Sequence, residues 1–255
     1  MQEKQIQIDN LSYSYGNKKV LDNFSLNIYQ GTIVSILGAN GAGKTTLFNC
    51  LTKNLKVPTG KILYEGVDIN KLSFKDLSKT VSFVSQLNSF NESDSSVRDY
   101  LVEGRTPYIK AFSTPTKIDY MLVEKYACRM GIENILSSNL IHLSGGQLQI
   151  VAITRALIQE TPIIIMDEPM SALDLGNQVI ILRLIKELSH QGKIIIFTTH
   201  NPNHAIALNC EACVIDGGRL VGCGEAKKTL TLDVIRKIYG DSFGISNNEY
   251  IEIKI

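Results

Sequence analysis

Gly38-Ala39-Asn40-Gly41-Ala42-Gly43-Lys44-Thr45 decides how the rest of this chain is read. An apolar run, Thr32-Ile33-Val34-Ser35-Ile36-Leu37, precedes it, and a helical pattern, Thr46-Leu47-Phe48-Asn49-Cys50-Leu51, follows. Strand, glycine loop and helix in that order are the setting of a phosphate-binding loop. The glycines let successive backbone N–H groups turn inward around an anion, where a Cβ would block them. The helix N-terminus adds its own attraction for phosphate. In such a loop Lys44 reaches the β/γ-phosphates and the Thr45 hydroxyl ligates Mg²⁺. Nucleotide binding is the expectation.

At 255 residues the chain has room for one large α/β domain or two small lobes. Its 26 basic and 25 acidic residues leave a formal net charge of +1, which makes no electrostatic case for a nucleic-acid partner. The opening residues Met1-Gln2-Glu3-Lys4-Gln5 have no apolar signal core, and no apolar run approaches the ~20 residues that span a bilayer. The expectation is a soluble, cytosolic chain whose membrane role comes through a partner. Five scattered cysteines (Cys50, Cys128, Cys210, Cys213, Cys223) fit a reducing compartment better than a disulfide framework. Cys210-Glu211-Ala212-Cys213 is a lone CxxC, read as a buried helix end leading into a strand rather than as a metal site.

Ahead of the glycine loop, Gln5–Tyr15 and Val20–Tyr29 alternate polar and apolar residues and meet at a Gly16-Asn17 turn, the pattern of an antiparallel pair. Tyr15, just before the turn, is either an ordinary strand aromatic or a flat platform for a purine. After the loop, Val81–Ser85 reads as a short strand ending on Gln86, and 87–96 as a polar loop. From Val97 to Ser138 the apolar residues (Ile118, Met121, Leu122, Tyr126, Met130) recur at helical spacing, a helical insertion in an α/β chain. Leu143-Ser144-Gly145-Gly146-Gln147 opens a long helix, with Ser144 a natural N-cap and the glycines leaving backbone N–H groups bare for a second anion.

Ile163-Ile164-Ile165-Met166 is continuously apolar, as in a parallel strand covered on both faces, and ends in Asp167-Glu168. Two carboxylates at the tip of a buried strand are costly unless something uses them. Asp167 fits a Mg²⁺ ligand and Glu168 a general base for an attacking water. Lys193–Thr199 is another buried strand, ending on His200. His200 and His204 have the spacing of a zinc pair, but Pro202 breaks a helix through both, so His200 is better placed to touch a phosphate.

Taken together, the loop at Gly38–Thr45, Gln86 at a strand end, Leu143–Gln147, Ile163–Glu168, Ser171-Ala172-Leu173-Asp174 and His200 resemble the ATP-binding subunits of ABC transporters, in that order and over nearly the whole chain. The resemblance implies a P-loop NTPase core, a mostly parallel sheet with helices, plus an N-terminal antiparallel β part and an inserted helical lobe. It implies one nucleotide-binding domain over 1–255, with the α/β core at 1–90 and 160–255 and the helical lobe carrying the signature at 91–159. Tyr15 would stack on adenine, the cradle would run from Gly38 through Thr46, and Gln86 would sense Mg²⁺ and the γ-phosphate. Ser144, Gly145, Gly146 and Gln147 would bind ATP held by a second copy of the chain, with Asp174 in the loop crossing that interface. Glu168, His200 and Gln86 would act in hydrolysis, and Thr45, Gln86 and Asp167 would hold Mg²⁺. Departures from the family pattern are Leu148 and Ile150, where basic residues are common, and Met170 after Asp-Glu-Pro.

A narrower match lies in Gly104-Arg105-Thr106-Pro107-Tyr108, the run Ser171–Gln178, and Thr198-Thr199-His200-Asn201-Pro202-Asn203-His204. These are similar to the ATPases of type II importers, which take up iron-siderophore, haem, cobalamin or molybdate. The expectation is uptake of a metal chelate, iron-siderophore first, through a separate permease at the cytoplasmic face of the cell membrane. A substrate-binding protein would be an indirect partner. The alternatives are another of those substrates, an exporter ATPase or a non-transport ABC ATPase.

Overall fold

The computed structural model describes residues 4–86, 94–110 and 112–240, with the backbone of 243–245 and 251–253. Most of the segment read as a polar loop, 87–93, lies outside the described residues. The chain divides into two compact units, 1–73 with 182–255, and 74–181.

The first unit opens with β1 (Lys4–Tyr15) and β2 (Lys18–Tyr29), antiparallel about the Gly16-Asn17 turn. Ile6, Ile8 and Leu11 of β1, and Leu21, Phe24, Leu26 and Ile28 of β2, are buried. A strict period of two fails between Ile8 and Leu11 and between Leu21 and Phe24. There Asn10 (φ 50°) and Asn23 (φ 54°) take left-handed backbone and the register shifts. At these bulges Ser25 Oγ accepts from the Asn10 N–H (2.8 Å) and Ser12 Oγ from the Asn23 N–H (2.9 Å), so side chains replace ladder bonds. β3 (Ile33–Leu37), α1 (Lys44–Leu51), β4 (Thr59–Tyr64) and β5 (Val67–Asp68) follow, and the antiparallel sheet runs β2-β1-β4-β5.

The second unit holds α2 (Phe74–Thr80), β6 (Val81–Val84), α3 (Val97–Val102), a 3₁₀ segment at Glu103–Tyr108, α4 (Lys117–Arg129), α5 (Gly145–Ile158) and β7 (Ile163–Met166). β6 and β7 pair in parallel. α5 packs on α3 and α4 through side chains removed from water, among them Leu101, Val123, Ala127 and Ile158. α6 (Leu175–His190) begins in this unit and ends in the other.

Returning to the first unit, the chain adds β8 (Ile194–Thr198), α7 (Pro202–Leu208), β9 (Glu211–Asp216), β10 (Arg219–Glu225), α8 (Ala226–Thr229) and α9 (Leu232–Tyr239). β3 is parallel to β8 on one side and β9 on the other, and β10 closes the edge antiparallel to β9. Every residue of β3 and β8 is buried, which is why both read as largely apolar runs. Phe24, Phe48 and Phe197 have no exposed surface, each contributing about 1.5–3 kcal/mol of hydrophobic stabilisation. The closing stretch carries a short antiparallel pair, β11 (Phe243–Ile245) with β12 (Ile251–Ile253).

One pairing among the cysteines was not expected from the sequence. Cys213 and Cys223 form a disulfide. The β9–β10 register sets them directly opposite on one face of the hairpin, with Cα atoms 4.1 Å apart. Spacing along the chain could not show a pairing made by strand register. Cys210, the other half of the CxxC, is buried, its thiol donating to the Ala205 carbonyl at 3.6 Å and pushed up to about 11 chiefly by burial. Among the described residues no His/Cys/Asp/Glu cluster could hold a metal ion.

Candidate functional site

In the first unit the glycine loop begins where β3 ends. Gly38 is required by close approach, since a Cβ there would lie 2.4 Å from the Ile215 carbonyl of β9. Gly43 (φ 107°) is the N-cap of α1 and would place a Cβ 2.7 Å from the Val20 carbonyl. These two contacts seat the loop between β9 and the start of β2. With glycine at the N-cap, no capping side chain bonds the first turn of α1. The Lys44 ammonium, nearly buried, curls back to donate to the Gly38 and Ala39 carbonyls at 2.7 and 3.1 Å. Ala39, Asn40, Gly41 and Thr45 are exposed, while Ala42 and Thr46 are buried. A flexible cation held by neutral carbonyls over an exposed, glycine-lined loop has the donor set an anion needs.

Tyr15 is half exposed at the end of β1, with Tyr13 edge-on to it at 5.1 Å between ring centroids. Its hairpin is the one whose Val20 carbonyl meets Gly43. His200 arrives from the opposite side of β3. The parallel register pairs Ile36 with Thr198, so Gly38 and His200 each lie two residues past paired positions at the same end of adjacent strands. Ligands of open parallel sheets bind at this carboxyl end. His200 is exposed there, whereas His204 is buried on α7.

The same logic operates inside the second unit. Val84 pairs with Met166, and two residues beyond, Gln86 Nε2 donates to Glu168 Oε2 at 3.1 Å. Asp167 is almost fully buried and its N–H donates to the Val84 carbonyl at 2.8 Å. Glu168 has φ 52°, a left-handed conformation rare for glutamate, stabilised by the Ser171 N–H and hydroxyl bonding its carbonyl at 3.2 and 3.0 Å. Such conformations cost on the order of 1 kcal/mol and concentrate at functional sites.

Ser144 caps α5 in a reciprocal capping box with Gln147: Ser144 Oγ accepts from the Gln147 N–H (3.3 Å), and Gln147 Oε1 accepts from the Ser144 N–H (2.9 Å). Gly146 packs so closely on the following loop that a Cβ would lie 3.2 Å from the Ala172 carbonyl, and Gly145 stands beside Ala172. The Asp174 carboxylate caps α6, accepting from the Asn177 N–H (2.8 Å) and Nδ2 (3.0 Å).

Residues 21–171 match the model of the family described as ABC transporter. The chain belongs to the ABC transporter family. It is 32% identical to the petrobactin import ATP-binding protein YclP of Bacillus subtilis (strain 168) over 92% of each chain. It is 30% identical to the ferric enterobactin transport ATP-binding protein FepC of Escherichia coli (strain K12), over 91% of this chain and 86% of that one. Among solved structures, an inward-facing metal-chelate type ABC transporter superposes with a TM-score of 0.83 at 27% identity, covering 99% of this chain and 98% of that one.

Within this ABC ATPase, the departures noted in the sequence have packing explanations in one case. Met170 is buried, and its carbonyl accepts from Gln178 Nε2 at 3.3 Å. Leu148 and Ile150 are half-buried on α5, and nothing in the structure explains them further. Arg105 carries a role to which sequence reasoning assigned no chemistry. Buried, it donates from Nε to Asp119 Oδ1 (3.1 Å) and from Nη1 to the Ile158 carbonyl (3.0 Å) and Glu160 Oε2 (3.3 Å), and it stacks 4.2 Å from the Tyr108 ring. Burial pushes the Asp119 carboxyl upward, but hydrogen bonds from Thr116 and Arg105 outweigh it and hold the group below the usual carboxylate range.

Proposed function

We propose that this chain is the ATP-binding and ATP-hydrolysing subunit of an ABC importer that energises uptake of a metal chelate, iron-siderophore first, through a separate membrane permease. One observation carries the hydrolytic part: a left-handed Glu168 at the tip of a buried strand, its carboxylate held by Gln86. The importer and substrate are supported by the functions of the petrobactin, enterobactin and metal-chelate relatives.

In this reading 1–255 is one nucleotide-binding domain. ATP phosphates lie in the cradle from Gly38 to Thr46, and Tyr15 stacks on the base. Thr45, Gln86 and Asp167 are the residues that would hold Mg²⁺, and a hydroxyl, an amide oxygen and a carboxylate are donors that suit so hard a cation. When bound, that ion neutralises phosphate charge. Glu168 takes the proton of the attacking water, and His200 steadies the γ-phosphate. Ser144–Gln147 and Asp174 act on the nucleotide of a second copy, so two chains close head to tail. The permease docks on the second unit, where an open cleft of about 510 Å³ is lined by Phe74, Lys75, Thr106, Pro107 and Gln159 among others. No described helix is long and apolar enough to cross a membrane; in this reading the permease holds the chain at the cytoplasmic face.

The test is genetic and biochemical together. Deleting the chain, in a cell without a redundant ATPase, is expected to abolish chelate uptake, and the tagged chain is expected to co-purify with a multi-span membrane protein. Unchanged uptake of every metal chelate tried, with only soluble partners recovered, would overturn the importer assignment.

A further inference from the structure

The corner between β8 and α7 is held by a set of hydrogen bonds around a histidine to which the function above gives no role. Thr199 Oγ1 lies 2.9 Å from His204 Nδ1, donates to the Asn201 carbonyl (3.3 Å), and accepts from the Asn201 N–H (3.1 Å). Asn201 caps α7 by accepting the Asn203 N–H on Oδ1 (3.1 Å), which turns its Nδ2 toward His204 Nε2 at 3.4 Å. Only one proton arrangement makes all of these contacts hydrogen bonds. The Thr199 proton goes to the Asn201 carbonyl, so His204 donates from Nδ1 to Thr199. His204 Nε2 is then a bare lone pair that accepts from Asn201. The ring must be neutral, because a second proton on Nε2 would face the Asn201 donor. Its surroundings agree, since burial pulls His204 below the ordinary histidine range.

His200 is the exposed residue enclosed by this set, flanked directly by Thr199 and Asn201. We propose that Thr199, Asn201 and neutral His204 are positioning residues that fix the backbone carrying His200 at the carboxyl end of β8, and so set the rate of ATP hydrolysis without contributing to nucleotide affinity. This rests on the reading of His200 as the γ-phosphate contact. Pro202 at the first turn of α7 contributes by removing backbone freedom next to the cap. The link from His204 to His200 is geometric: losing the Thr199–His204 bond frees the Thr199 hydroxyl to rotate and lets the Asn201 cap relax.

The test compares His204→Leu, which keeps volume and removes both ring bonds, with Thr199→Val and the double variant. His204→Asn, which restores a donor near the Nδ1 position, completes the set. Steady-state ATPase of the full chain is measured beside ATP binding. His204→Leu and Thr199→Val are each expected to lower kcat about 10–100-fold with KM for ATP within about twofold, the size of loss that a misplaced group produces. The double variant is expected to be no worse than either single one, and His204→Asn to recover most of the rate. His200→Ala separates the two claims. If it abolishes hydrolysis while His204→Leu and Thr199→Val keep wild-type kcat, the positioning role is overturned and the reading of His200 stands. If His200→Ala itself hydrolyses normally, the functional reading fails. Should His204→Leu not fold, the Thr199→Val kcat alone decides, and a rise in KM in place of a fall in kcat counts against the proposal.

Discussion

Gln86 Nε2 and Glu168 Oε2 meet at 3.1 Å, each side chain projecting two residues beyond a parallel strand pair. An amide donor fixes one oxygen of the carboxylate that would take the proton of the attacking water. Glu168→Gln retains an acceptor for Gln86 but cannot take a proton. It is therefore expected to leave ATP affinity within a few-fold and reduce turnover about 100-fold or more. It should also accumulate a nucleotide-bound dimer, visible by size-exclusion chromatography with ATP. Turnover near wild type would remove Glu168 from the role of general base.

Ser144 has two duties that mutation can separate. As the N-cap of α5 it contributes about 1 kcal/mol, so Ser144→Ala is expected to lower stability by that amount in urea titration. Ser144→Arg adds bulk and charge at an exposed position. It should block the ATP-dependent dimer and hydrolysis while the monomer still binds ATP. Hydrolysis at the wild-type rate in Ser144→Arg would count against a composite site.

Much of this was legible because it depends on local order. The largely apolar runs at 33–37, 163–166 and 194–198 became buried strands, and the residues just past them (Gly38, Asp167-Glu168, His200) became strand-end groups. What stayed hidden depends on register and on side-chain direction. The left-handed φ of Glu168, the Gln86 bond 82 residues away, and the Cys213–Cys223 link all arise from how strands align. The Asn10 and Asn23 bulges broke a period that looked regular.

Arg105 and Asp119 are both about nine-tenths buried, and each answers the other's charge. Removing one partner strands the other, at a cost of about 3–5 kcal/mol. Arg105→Ala is expected to lower the urea midpoint accordingly, and Arg105→Lys to recover only part of it, because an ammonium cannot reach Asp119, the Ile158 carbonyl and Glu160 together. Wild-type stability in Arg105→Ala would show that the pair is dispensable.

The Cys213–Cys223 link closes a short loop, with a sequence separation of 10, on the hairpin whose Ile215 carbonyl backs Gly38. Loop-closure entropy gives it roughly 3 kcal/mol. Reduction with dithiothreitol and the Cys223→Ser variant are expected to lower thermal stability equally, and reductant should not shift Cys223→Ser at all. A melting temperature of the wild type that ignores reductant would show that the link carries no stability.

His204 gives stability a pH dependence whose sign follows from its burial. The fold holds the ring neutral and its pKa below the ordinary 6.5, so the unfolded chain binds the proton more readily. Of the elements packed on α7, β3 carries no charged side chain, and Lys227 and Lys228 of α8 are exposed. Stability from this group is therefore complete above pH 6.5 and falls as pH drops from 6.5 toward the depressed folded value. Below that value the loss levels off, because both states are protonated. Urea midpoints at pH 7.5 and 5.5 are expected to differ more for the wild type than for His204→Leu. Equal differences in the two proteins would mean that another group governs the acid side.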